Sequence, residues 1–135
     1  MNEEQAKRLA DAADAILQAG DALDEAREAI ADKRFDGDIE RDRIAAAQQM
    51  TAKLDAASKK IQDALRKSAI AAAAASRAGA YVRYRAALTA TREGRVLART
   101  AGDQEGTANK RARGEEAASK FDEAINAAAA LTFAD

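Results

Sequence analysis

Leu9, Ile16, Leu23 and Ile30 stand seven residues apart, and Ala12, Ala19 and Ala26 follow the first three of them by three. Seven residues are close to two turns of α-helix, so this recurrence sets large residues and alanines alternately along one stripe. A strand would scatter the same side chains over both of its faces. Residues 2–33 therefore read as a helix lying against another helix. Asn2 is a good N-cap for it, and Glu3 and Glu4 suit the positive end of its dipole.

Phe35, Asp36, Gly37 and Asp38 make a turn, with Asp38 placed to cap a second helix. There Ala47, Leu54 and Ile61 keep the seven-residue step, joined by Met50, Ala57 and Ala64. So short a turn makes the two helices antiparallel neighbours. The chain contains no proline, and only Gly79 interrupts the alanine-rich run that begins at Leu65; the next convincing break is the Gly102–Gly106 segment. A last helix follows over residues 107–132, with Ala117, Phe121, Ile125 and Ala128 on one face and Gly114 weakening its first turns. The expectation is an all-α, antiparallel, coiled-coil-like bundle in one domain over residues 1–135. Its favoured form has three helices, about 2–33, 38–101 and 107–132, the central one continuous. Its other form has four helices, with a bend near 66–68 or at 79. Leu9, Ile16, Leu23, Ile30, Leu54, Ile61, Phe121 and Ile125 are the expected packing residues.

The core is thin. Leu, Ile, Val and Phe together make 20 of 135 residues, against 40 alanines. Burying an alanine methyl is worth about 0.8 kcal/mol, against roughly 1.5–3 kcal/mol for a leucine or isoleucine. Alanine-lined helices must approach closely and gain dispersion contacts instead of area. A monomer built this way is marginal, so a homo-oligomer or docking into a larger protein assembly is expected.

Histidine and cysteine are both absent, which removes the common general base, thiol nucleophiles and most transition-metal sites. Asp36, Asp38, Glu40 and Asp42 alternate like calcium-loop ligands, but Arg41 and Ala47 stand where that loop needs glycine and glutamate. Gly102 and Gly106 lack the Lys-Ser/Thr of a phosphate loop and mark a linker. No enzyme, cofactor or metal is expected. The most apolar run, residues 68–76, is too short to cross a bilayer, and no basic stretch and apolar segment form a secretory signal at Met1. The expected location is the cytoplasm, free or within a larger particle.

Charge is segregated along the chain. Residues 1–65 carry 15 acidic and 10 basic groups, residues 66–113 carry 3 and 11, and residues 114–135 carry 5 and 1. On a continuous helix Arg66, Ile70, Arg77, Tyr81, Tyr84, Leu88, Arg92, Arg95 and Arg99 share a face. Of these, Arg77, Tyr81, Tyr84, Arg92, Arg95 and Arg99 are the candidate partner-binding residues. Asp14, Asp21, Glu25 and Glu28 form a candidate acidic docking face on the first helix. The basic face suits internal pairing with the acidic helices, an acidic protein surface, or nucleic acid gripped by arginines and stacked on tyrosines. Three functions follow in order: a structural or interaction protein, a helical nucleic-acid-binding protein, and a small inhibitor or adaptor, as a mobile element would carry, whose acidic helix imitates a phosphate backbone. Circular dichroism should show helix far above the globular average of about a third, and appreciable strand signal would refute the fold.

Overall fold

The computed structural model describes residues 1–133. Among them the chain forms four α-helices and no strand: α1 (Glu3–Ile30), α2 (Glu40–Ala74), α3 (Ala80–Ala101) and α4 (Thr107–Phe133), with a 3-10 turn at Lys33–Asp36. The helices run up, down, up and down. α1 packs most extensively on α2 and α3 on α4, while α2 and α4 meet across the middle, leaving α1 and α3 at opposite corners.

Local chemistry sets the boundaries. The Asn2 side chain accepts the Gln5 N–H at 2.8 Å and the Gln5 side chain accepts the Asn2 N–H at 3.0 Å, a reciprocal cap at the start of α1. α1 stops at Ile30, three residues before the periodicity expectation, because Asp32 accepts the Arg34 N–H at 2.9 Å and turns the chain into the 3-10 segment that buries Phe35. The residue before α2 is Ile39, which makes no side-chain cap, so Asp38 does not take the capping role expected of it.

The long central helix of the favoured form is not formed; the chain turns at 75–79. Ser76 N–H bonds to the Ala73 carbonyl and Arg77 N–H to the Ala72 carbonyl, while Ser76 sits at φ 50° and Gly79 at φ 73°. Those paired bonds close the end of α2 as a Schellman turn. Serine occupies the left-handed position usually held by glycine, which is why sequence punctuation pointed to Gly79 alone. The turn lets α3 fold back along α2, and packing α3 onto α4 overrides the helix propensity of the alanine run.

The seven-residue stripes face inward. Leu23, Ile30, Leu54, Ile61 and Phe121 are buried, with Ala12, Ala19, Ala26, Ala57 and Ala117 fully enclosed between them. Ile16 and Ile125 are half-buried against this core, and Leu9 is half-buried nearer the end of α1. Two glycines set the closest approaches. A Cβ on Gly94 would lie 2.5 Å from the Phe121 ring, and one on Gly114 would lie 2.6 Å from the Met50 sulfur. Gly114 thus admits Met50 of α2 between the helices, a packing role beyond weakening the first turns of α4.

These clearances yield opposite expectations for two Gly→Ala substitutions. Gly20, with nothing within 4 Å of its would-be Cβ, should gain up to about 1 kcal/mol from helix propensity. Gly94→Ala should instead lower stability, since overpacking against a buried aromatic ring costs roughly 1–3 kcal/mol. Denaturant unfolding of both variants checks the sign, and a stabilised Gly94→Ala would show that the α3–α4 approach is looser than described.

Candidate interaction groove

Much of the basic block is used inside the molecule. Arg77, in the α2–α3 turn, donates to the Thr132 carbonyl, and Arg83 reaches the Ala130 carbonyl at 3.5 Å. Both carbonyls belong to the C-terminal turn of α4, whose last oxygens lack helical partners and carry the negative end of the dipole. Arg111 does the same for α1: its Nε donates to the Ile30 carbonyl at 2.7 Å, its NH1 meets Asp36 at 3.1 Å, and its guanidinium lies 5.1 Å from the centre of the Phe35 ring. Lys120 bridges Glu93 of α3 (3.0 Å) and Glu123 (3.2 Å), and hydrogen bonding to these carboxylates, Glu93 first, raises its pKa above the ordinary 10.5. That contribution is complete below the ordinary value and is lost as pH rises through the raised one.

Between α2 and α3 the helices leave a continuous groove. At one end Thr51, Asp55, Ser58 and Lys59 face Arg95, Ala98, Arg99 and Gly102. Further along, Leu65, Arg66, Ala69 and Ile70 face Tyr84, Leu88, Thr91 and Arg92, with Gln62 and Arg95 common to both stretches. Ala73 and Tyr81 border its far end. The groove is therefore polar and basic towards Arg99, apolar towards the tyrosines. Its floor is satisfied locally: the Thr91 hydroxyl donates to the Ala87 carbonyl at 2.8 Å, and the Ser58 hydroxyl accepts from Gln62 at 3.1 Å. Positive groups stand on both banks, Lys59 and Arg66 on α2 and the three arginines on α3.

The α2 cations are neutralised by their own helix. Arg66 meets Asp63 at 2.7 Å, Lys67 meets it at 3.1 Å, and Lys59 meets Asp55 at 3.2 Å. Hydrogen bonding from Arg66, aided by Lys67 and opposed by partial desolvation, holds the Asp63 carboxyl below its ordinary 3.8. Arg92, Arg95 and Arg99 differ: among the described residues none of them makes a hydrogen bond or ion pair. Pairing of these three with the acidic helices does not occur within the chain, because α1 lies at the opposite corner and α4 presents Glu93's partner Lys120 to α3 instead.

The shared face read on a continuous helix is redistributed by the fold. Tyr84, Leu88, Arg92, Arg95 and Arg99 stay together on α3, whereas Arg66 and Ile70 oppose them from α2. Arg77 leaves the set as an α4 cap. Tyr81 is 70 % exposed, and Arg85 lies 6.0 Å from its ring centre and donates to its hydroxyl at 3.3 Å. Asp14, Asp21, Glu25 and Glu28 are exposed along α1, where Glu25 reaches Lys53 at 3.8 Å and Asp14 accepts from Gln18 at 2.9 Å. Sequence reasoning passed over Asp24 and Leu17 on this face. Leu17 is 68 % exposed, and the step of 4, 3 and 4 residues from Leu17 through Asp21 and Asp24 to Glu28 was the available signal.

Comparison with protein-family models, curated proteins and solved structures found no match to the chain. No helix among the described residues is long and apolar enough to cross a membrane.

Replacing Arg92, Arg95 and Arg99 together by Gln should leave thermal stability within about 0.5 kcal/mol of the parent, as for surface positions without partners. Lys120→Gln should lower the midpoint, because it releases Glu93 and Glu123 together. A large loss in the triple variant would reveal an internal role for the three arginines.

Proposed function

We propose that the protein is a non-enzymatic interaction module whose α2/α3 groove receives an acidic helix of a protein partner. The observation that carries this reading is the row Arg92, Arg95 and Arg99, which lines an open groove and makes no ion pair among the described residues. Holding three guanidinium groups along one helix face without partners favours any anionic surface of matching spacing. The apolar stretch around Leu88, Ile70 and Tyr84 supports a protein helix as that surface. It suits leucine or alanine side chains of a helix laid in a groove, recognised at i, i+3, i+4 and i+7 positions. A phosphate backbone would leave this stretch without apolar contact. The thin, alanine-based core supports the same reading, since association would add the buried area that the monomer lacks.

A labelled acidic amphipathic helix, with one leucine followed by carboxylates at matching steps, provides the test. Fluorescence anisotropy should show salt-sensitive binding to the full chain and at least about tenfold weaker binding to the triple Gln variant. Single-stranded and duplex oligonucleotides should not compete at physiological salt. Submicromolar oligonucleotide binding that is lost in the triple variant would replace this reading with a nucleic-acid interface.

A further inference from the structure

Two faces of this molecule carry the same spacing with opposite charge. On α3, Leu88 is followed by Arg92, Arg95 and Arg99 at steps of 4, 3 and 4 residues; on α1, Leu17 is followed by Asp21, Asp24 and Glu28 at the same steps. Neither set is neutralised within the chain: none of these three acids and none of these three arginines makes an ion pair or hydrogen bond among the described residues. Both sets are accessible. Leu17 and the three acids lie on the outer side of α1, opposite its buried Ala12, Ala15, Ala19 and Ala26, and the arginines line the groove.

From this complementarity we infer that the occupant of the α2/α3 groove is α1 of a second copy of the chain. The inference rests on the reading of the groove as a helix-binding site. Steps of 4, 3 and 4 read the same in both directions, so spacing alone leaves the orientation open. The apolar residues decide it. With the incoming α1 parallel to α3, Leu17 meets Leu88, Asp21 meets Arg92, Asp24 meets Arg95 and Glu28 meets Arg99. The same register sets Ala10 and Ala13 opposite Tyr81 and Tyr84, small side chains against rings. The reverse direction sets Leu17 against Arg99 and Glu28 against Leu88. The parallel placement also makes the incoming helix antiparallel to α2, the relation that α1 already has to α2 within the chain.

The donor face on α1 and the acceptor groove beside α3 occupy opposite sides of the bundle. A contact between them is head-to-tail, and it leaves a free acceptor on one copy and a free donor on the other. Such an interface continues until a ring closes, or it extends as a filament. Association therefore passes beyond the dimer, and because its contacts are ionic and exposed it weakens as salt rises.

Charge reversal on each face tests the pairing with the full chain. The acceptor variant is R92E/R95E/R99E, and the donor variant is D21R/D24R/E28R; all replacements keep helix propensity. Sedimentation velocity of the parent at low salt should show species larger than a dimer that grow with concentration and shrink on adding salt. Each variant alone should associate at least about tenfold more weakly, and an equal mixture of the two should recover association, since every contact between unlike copies is again complementary. Circular dichroism establishes that each variant folds. If a reversal unfolds the chain, R92Q/R95Q/R99Q and D21N/D24N/E28Q replace the reversed pair and should show the same separate losses. A parent that stays monomeric, association unchanged by either variant, or a mixture of reversed variants that stays dissociated would overturn the inference. The acidic probe helix separates the two levels. If it binds the groove while the parent stays monomeric, the second-copy assignment falls and the groove stands; if it does not bind, both fall.

Discussion

Close approach between helices is the constraint on which this structure depends. With 40 alanines and few large apolar residues, the chain cannot stabilise itself by area alone. It brings backbones together so that each alanine methyl finds many neighbours at van der Waals distance. Gly94 under the Phe121 ring and Gly114 beside Met50 mark where the approach is tightest. Those contacts place α4 at the centre, touching all three other helices, and fix where α3 lies. Large side chains are then used sparingly: Met50, Leu54, Ile61 and Phe121 are fully buried in the core that all four helices share.

Packing helices this closely brings their ends together, and side chains from neighbouring elements satisfy the exposed carbonyls there. Gln5 of α1 donates to Ala74 at the end of α2, Arg111 of α4 to Ile30 at the end of α1, and Arg77 and Arg83 to the end of α4. Each bond satisfies an orphan acceptor and ties the end of one helix to another part of the chain. Gln5 serves two termini at once, since its carbonyl oxygen completes the cap of α1 while its amide reaches α2. The positive charge concentrated in residues 66–113 is in part the chemical requirement of these caps. Once the caps and the local ion pairs are made, a row of three arginines on α3 is left open among the described residues.

The groove follows from the same packing logic. α3 is committed to α4 through Gly94, so its seam with α2 stays the more open one. A surface left in this state is complementary to one that carries both negative charge and an apolar side chain. The outer face of α1 has both, and it sits where it cannot reach the groove of its own chain.

Helix type, the inward stripes and the segregation of charge were legible in the sequence, because each depends on residues within a turn or two of one another. The recurrence from Leu9 to Ile30 selects the buried face of α1 whatever it packs against. The cap at Asn2 is likewise local. Tertiary structure decided the rest. Nothing within the alanine run predicts a chain reversal at Ser76; packing α3 on α4 makes it worthwhile to hold a serine in the left-handed conformation. Whether an arginine caps a helix, as Arg77 does, or stands open in a groove, as Arg95 does, is set by which carbonyls and carboxylates arrive from residues far along the chain. Periodicity reports which side chains share a face, but the partners of that face depend on long-range packing, and only the folded chain specifies them.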